Sequence, residues 1–347
     1  MGLPLKNKTD IKRFLELAEK IPVIDVRSPS EFNAGHIPGA FNIPLFNDSE
    51  REAVGIRYKS KGRTKAILKG LELTGSGIRS KLEQALKVAH NGKLLVHCWR
   101  GGMRSEAMAW LFSLGDIETE VLEGGYKSYR RHILENLSAE LKMIVLGGMT
   151  GSGKTRILKC IREAGHQVVD LEGIANHKGS AFGSLGQSPQ PTTEYFANLL
   201  YDELKDIDRD RPLWIEDESR NIGNVFLPEE FYLNMQKNPA IVLMMDNRVR
   251  LPNLLSEYAQ YPPDELQASI MKIRRRLGGD KAAEAIRSVE SGEITRAIEI
   301  ILAYYDKAYL FGLNRMQERE LFYIKTDTDD VEVNALKVLD AAGKINW

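Results

Sequence analysis

The chain has 347 residues, 43% hydrophobic and 28% charged, with 48 Lys and Arg against 48 Asp and Glu. This length supplies two domains of ordinary size, the neutral balance excludes a global field that gathers nucleic acid, and no run approaches the roughly eighteen apolar residues of a membrane helix. Two cysteines, Cys98 and Cys160, permit no disulfide framework; together with charges spread through residues 1–20, they predict a protein of the reducing cytoplasm.

In chain order, "PVIDV" (residues 22–26) reads as a short buried strand. The basic run "YKSKGRTKAILKG" (58–70) follows, then the helical pattern "SGIRSKLEQALKVAHNG" (76–92) and a second strand, "KLLVHC" (93–98). After the loop "HCWRGGMRS" (97–105) come the helix "SEAMAWLFSLG" (105–115) and the strand "ETEVLEGG" (118–125). Strands alternating with helices predict a parallel sheet. A long helical connection, "YKSYRRHILENLSAELK" (126–142), which opens on a second basic run at 126–132, then leads to a new strand-loop-helix unit, "MIVLGGMTGSGKTRILKCIREAG" (143–165), which places the domain boundary near residue 138. Further strands are predicted at residues 166–172, 212–219, 240–246 and 321–327, with a largely helical stretch before the last. The Gly-, Ser- and Pro-rich segment 177–196 is too long for an idle turn and is a candidate binding loop. A third basic run, "KIRRRLGG", covers 272–279.

Cys98 follows a strand and precedes a helix, so its sulfur is expected at a helix N-terminus, where converging N–H groups lower a thiol pKa or hold an anion. Gly101 and Gly102 allow the backbone to curl, and of the three basic side chains that flank the loop, Arg100, Arg104 and His97, the two arginines are placed to add positive charge. Cys160 lies inside a helical pattern and reads as structural. The pattern H-C-x-x-G-x-x-R-S resembles the signature of cysteine-dependent phosphatases, whose thiolate attacks phosphorus. The upstream segment "VIDVRSPSEFNAGHIPGAFNIP" (23–44) instead closely resembles the N-terminal signature of rhodanese domains, matching at Asp25, Arg27, Glu31, Gly35, His36, Ile37, Pro38, Gly39 and Ala40. That resemblance implies a cysteine that carries sulfur or selenium. The stretch from Cys98 to Arg104 is one residue longer than is usual in sulfur-carrying rhodaneses, a length that suits a larger anion.

"GMTGSGKT" matches the Walker A pattern between a strand and a helix. Its amides, with Gly148, Gly151, Ser152, Gly153 and Lys154, are expected to cradle a diphosphate, and Thr155 is placed to ligate magnesium where a metal is used. No protein metal site is assigned. "LWIEDES" sets Glu216, Asp217 and Glu218 at a strand end, either a Walker B-like acid, with Glu216 and Asp217 at the cofactor, or a turn of solvated carboxylates.

A rhodanese-like domain with "CWRGG" joined to a P-loop domain with "GGMTGSGKT" resembles the bacterial tRNA 2-selenouridine synthases nearly end to end, as do "WIEDESRNIG" (214–223) and "YYDKAY" (304–309). The fold this implies is α/β, with an N-terminal rhodanese-like domain built on a parallel sheet (1–137) and a P-loop NTPase-like α/β domain with a helical C-terminal part (138–347). The activity it implies acts on tRNA carrying 2-thiouridine at the wobble position: S-geranylation from geranyl diphosphate, then replacement of the geranylthio group by selenium from selenophosphate. In that reading Cys98 bears selenium as a selanyl-cysteine, Arg100 and Arg104 hold phosphoryl oxygens, and Lys154 clamps the diphosphate. Selenophosphate synthetase is the protein partner this chemistry suggests. Two other readings stay open from the residues alone: a P-loop ATPase or kinase with a regulatory rhodanese module, and a non-catalytic sulfur or selenium relay.

Overall fold

The structure is a computed structural model, and it describes residues 7–315 and 319–347. Residues 1–6, part of the charged start of the chain, lie outside the described set. The chain divides into two compact units, one running to Asn136 and including Ala197–Leu199, the other formed by Leu137–Phe196 and Leu200–Trp347. Among the described residues no helix is long and apolar enough to cross a membrane.

The first unit runs β1 (Asn7–Thr9), α1 (Ile11–Ala18), β2 (Val23–Asp25), α2 (Pro29–Ala34), β3 (Phe41–Asn42), α3 (Asp48–Thr74), α4 (Ile78–Val88), β4 (Lys93–His97), α5 (Met103–Ser113), β5 (Glu118–Leu122) and α6 (Gly125–Leu137). Its five strands form one sheet in the order β1-β5-β4-β2-β3, parallel throughout. The apolar residues of β2 and β4 explain this: Val23, Ile24, Leu94, Leu95 and Val96 are all buried, as a sheet covered on both faces requires. β1 and β3 escape the sequence reading because two or three residues are too few to display a period. From β2 the chain moves outward to β3, whereas from β4 it moves the other way to β5. The carboxyl ends of β2 and β4 therefore form the topological switch point, where α/β sheets bind ligands, and Cys98 is the residue that follows β4.

Beside it, Arg27 and Asp25 form a buried ion pair at 2.6 Å, with both side chains no more than 1% exposed. Arg27 also donates to the Gly35 carbonyl at 2.6 Å, and its guanidinium stacks over the Tyr126 ring, 3.8 Å from the centroid. Removing one partner of a buried pair strands the other charge. Arg27→Ala is accordingly expected to lower unfolding stability by about 3–5 kcal/mol, read as an earlier urea midpoint at an unchanged slope.

The second unit runs β6 (Met143–Gly148), α7 (Lys154–Glu163), β7 (Gln167–Val169), α8 (Leu171–Ile174), α9 (Thr193–Leu204), β8 (Leu213–Glu216), β9 (Asn221–Ile222), β10 (Val225–Phe226), α10 (Glu229–Lys237), β11 (Ala240–Met245), α11 (Asn247–Tyr258), α12 (Pro263–Leu277), α13 (Gly279–Glu290), α14 (Ile294–Arg315), β12 (Leu321–Thr326) and α15 (Val331–Ala342). Its five-stranded parallel sheet has the order β12-β11-β6-β8-β7, with β6, the strand before the glycine loop, in the centre. α7 and α15 cover one face through Ile157, Leu158, Ile161, Ala335 and Val338, with the half-buried Cys160 packed beside them. The helical stretch forms a second core, in which Leu266, Ile270, Ala285, Val289 and Ile298 meet. The segment 177–196 is packed more closely than its composition suggests: Ala181, Phe182 and Leu185 are buried in that helical core. Ser180 Oγ lies 3.2 Å from Tyr258 Oη, and Lys272 Nζ donates to Ser184 Oγ at 3.2 Å.

Candidate functional site

The thiol loop is built by the backbone. Cys98 is 3% exposed, and its Sγ lies 3.4 Å from Ser105 Oγ, whose hydroxyl is also 2.9 Å from the Gly102 carbonyl. Burial pushes the thiol up, but the Ser105 hydroxyl, the Arg100 and Gly102 N–H groups and the charge of Arg104 outweigh it, so the pKa falls below its ordinary value. Because a depressed pKa keeps thiolate present at lower pH, the pH midpoint for iodoacetamide alkylation of Cys98 is expected below that of a free cysteine. Ser105→Ala, which removes the largest lowering contact, is expected to move that midpoint back up; an unchanged midpoint rejects the role of the hydroxyl.

What turns these N–H groups inward is a second pair of glycines, where β5 meets α6. Tyr126 N donates to the Cys98 carbonyl at 2.8 Å and Lys127 N to the Trp99 carbonyl at 3.0 Å, drawing the loop carbonyls outward. A Cβ on Gly125 would stand 2.3 Å from the Cys98 carbonyl oxygen and 2.4 Å from Gly101 N, and Gly125 has φ +59°. Only glycine allows two backbones to approach this closely. Gly125 and Ser105 carry no role in the sequence reading; the signals for them were the "EGG" ending the strand and the serine closing H-C-x-x-G-x-x-R-S.

The basic side chains near the sulfur are not equivalent. His97 is fully buried, its ring nitrogens make no hydrogen bond among the described residues, Nε2 lies 3.8 Å from Asp25 Oδ2, and burial holds its pKa below the ordinary value. The lowered pKa disfavours its charged form, which leaves the positive charge of the loop to the two arginines. Arg104 is gripped by Glu31 through two hydrogen bonds, at 2.6 and 3.3 Å. Glu31 is fixed in turn as the third residue of the α2 capping box, with Arg51 3.6 Å away. Arg100 is exposed and pairs with no carboxylate among the described residues. Arg100 is thus the freely available cation, and Arg104 is the fixed one.

In the second unit the glycine loop joins β6 to α7, with Lys154 opening the helix. Gly151 has φ +82°, and a Cβ there would stand 2.8 Å from Leu254. Lys154 Nζ donates to the Gly148 carbonyl at 3.0 Å, and Thr155 Oγ1 donates to Glu172 Oε2 at 3.2 Å. Ser152 is buried, its hydroxyl without a partner among the described residues.

The helical part braces this loop from behind. Arg250 donates to the Thr150 carbonyl at 2.9 Å and is paired with Asp306 at 2.6 Å. Tyr309 Oη accepts from Gly148 N at 2.8 Å and lies 3.3 Å from Asp217 Oδ2. Asp306 and Tyr309 are three apart on α14 and so share a face. Both fall within "YYDKAY", a stretch that the sequence reading left without a role.

The strand-end carboxylates divide three ways. Glu216 is wholly buried and accepts from Leu171 N at 2.9 Å, and burial with Asp170 and Glu172 nearby raises its pKa well above the ordinary value. Asp217 is taken up by Arg319, at 2.8 Å, and by Tyr309. Glu218 faces Glu172: a Cβ on Gly179 would stand 2.8 Å from an oxygen of each. Burial and this neighbour raise the Glu218 pKa, while Lys154 draws it down. The carboxyl pair beside Lys154 and Thr155 is therefore Glu172 and Glu218, with Glu216 and Asp217 engaged inside the fold.

Comparison with known proteins matches both units. The family described as "Rhodanese-like domain" matches residues 9–132, and the one described as "tRNA 2-selenouridine synthase AAA domain" matches residues 141–337. A solved structure described as the N-terminal domain of a putative ATP/GTP binding protein from Clostridium difficile 630 is 36% identical, covers 37% of this chain and 99% of that one, and has a TM-score of 0.35. A tRNA 2-selenouridine synthase of Shewanella denitrificans is 36% identical over 87% of this chain and 90% of its own length. The synthase of Nitrosomonas europaea is 32% identical over 87% and 91%, and that of Bdellovibrio bacteriovorus 34% identical over 88% and 92%. Identity of this degree across nine-tenths of those relatives leaves one family standing, and the chain belongs to it: the tRNA 2-selenouridine synthases.

Proposed function

We propose that this chain is a cytoplasmic transferase that converts wobble-position 2-thiouridine in tRNA to 2-selenouridine in two steps. In the first, the thiocarbonyl sulfur attacks C1 of geranyl diphosphate, the C–O bond breaks, diphosphate leaves and the base loses its N3 proton. The glycine loop and Lys154 stabilise the departing diphosphate, a task that requires no ATP hydrolysis. Thr155 and Glu172 offer hard oxygen donors and are the residues that would hold a magnesium ion there. In the second step selenium from selenophosphate replaces the geranylthio group. Cys98 is the soft nucleophile of this step: its thiolate attacks phosphorus of selenophosphate, the P–Se bond breaks and selenide leaves, selenide displaces geranylthiolate at C2 of the base, and water hydrolyses the S–P bond to free phosphate, while Arg100 takes the phosphoryl oxygens and Arg104, held by Glu31, fixes the positive wall of the loop. Selenophosphate synthetase is the enzyme class that would supply this donor.

The observation that carries the reading is the Cys98 thiol at the carboxyl end of the central strand, ringed by N–H donors and depressed in pKa. Its test is mass analysis of nucleosides from the tRNA of a strain lacking the protein. Loss of 2-selenouridine, restored by this chain, is the expected result; an unchanged level rejects the reading.

A further inference from the structure

Three basic runs stand out in the sequence, and the structure accounts for two of them. In the run on α6, Tyr126 and Tyr129 are core residues, at most 1% exposed. In the run on α12, Arg274, Arg275 and Arg276 occupy the last turn, where the helix dipole favours cations. The run on α3 has no such reason. Between Ala53 and Leu71 the sequence has Arg57, Lys59, Lys61, Arg63, Lys65 and Lys69 and no acidic residue. Lys69 pairs with Glu72 at 2.6 Å, while Arg57, Lys59, Lys61, Arg63 and Lys65 make no ion pair among the described residues. Arg57 with Lys61, and Lys65 with Lys69, are like charges four apart, a spacing that destabilises a helix.

The helix is moored near its C-terminal end, where Ala66, Gly70 and Thr74 are buried and Gly70 rests on Phe46. The five residues 57–61 before the break at Gly62, which has φ +79°, are exposed or nearly so, Tyr58 at 59% with Ile56 beside it at 60%. An exposed aromatic among unpaired cations suits a nucleic acid, whose phosphates neutralise the charge and whose bases stack on the ring. The run also reaches the thiol loop of its own unit: Arg63 Nη2 lies 3.5 Å from Sδ of Met103, the first residue of α5.

We propose that the cationic face of α3 is the surface on which the tRNA backbone lies, presenting the base to be modified to the Cys98 loop. This rests on the reading above that tRNA is the substrate, and it adds where the RNA is held. The test is the full-length triple variant Lys59→Glu, Lys61→Glu, Lys65→Glu, none of which touches the thiol loop. Binding to tRNA bearing 2-thiouridine is measured across a salt series. With three phosphates no longer neutralised by lysine, the slope of log affinity against log salt is expected to fall by about 2–3, and affinity at low salt by about tenfold or more. The urea midpoint should stay at or slightly above the wild-type value, since like-charge pairs are removed, and the rate of Cys98 alkylation should stay at the wild-type value. If charge reversal unfolds the protein, the Gln triple at the same positions is read in the same way. Wild-type affinity and slope in a folded variant overturn the surface while leaving the substrate reading intact. Loss of polyglutamate binding with tRNA binding retained also overturns it, assigning the face to an acidic protein. Failure of the wild-type chain itself to bind or modify this tRNA overturns the substrate reading and the surface with it.

Discussion

Replacing Cys98 by serine is expected to reduce selenium incorporation into tRNA to background while tRNA affinity stays unchanged. Serine fits the small buried space behind the loop, where Cys98 is 3% exposed. Its hydroxyl, however, does not ionise in this pH range and is a far weaker nucleophile than the thiolate. Loss of a covalent nucleophile costs on the order of 10⁴-fold or more in rate, so the effect stands clear of any change in packing. The measurement is formation of 2-selenouridine from tRNA that already carries the S-geranyl group, with selenophosphate supplied. Selenation by the serine variant at the wild-type rate rejects the assignment of Cys98.

Lys154→Ala tests the other unit. Removing the ammonium that offsets the leaving diphosphate is expected to slow geranylation of 2-thiouridine tRNA by about a hundredfold, or about 3 kcal/mol, by analogy with removing one oxyanion donor. Lys154 is half-buried and spends its hydrogen bond on the neighbouring Gly148 carbonyl, so the fold should lose little. The same variant should still convert pre-geranylated tRNA, since selenium is handled at Cys98. Geranylation at the wild-type rate rejects the diphosphate clamp; collapse of both steps, with tRNA binding intact, rejects the division of labour between the two loops.

Much of this protein was legible from the sequence because its information is local. "VID", "KLLVH", "MIVLGG" and "AIVLMM" are predominantly apolar stretches of strand length, and each determines a buried parallel strand wherever the chain later places it. The two anion loops are equally local: glycines, a cysteine or lysine and the following helix lie within a few residues, so spacing alone sets the direction of the N–H groups. Tertiary structure decided what those loops rest on. Glu31 meets Arg104 across 73 positions and Tyr309 meets Gly148 across 161, and no local pattern encodes such separations. Packing likewise decided which of the adjacent carboxylates stayed beside Lys154. Glu216 and Asp217 read alike in sequence, yet one is sealed in the sheet and the other paired with Arg319, because burial and partner supply, not residue type, determine whether a carboxylate stays open to a ligand.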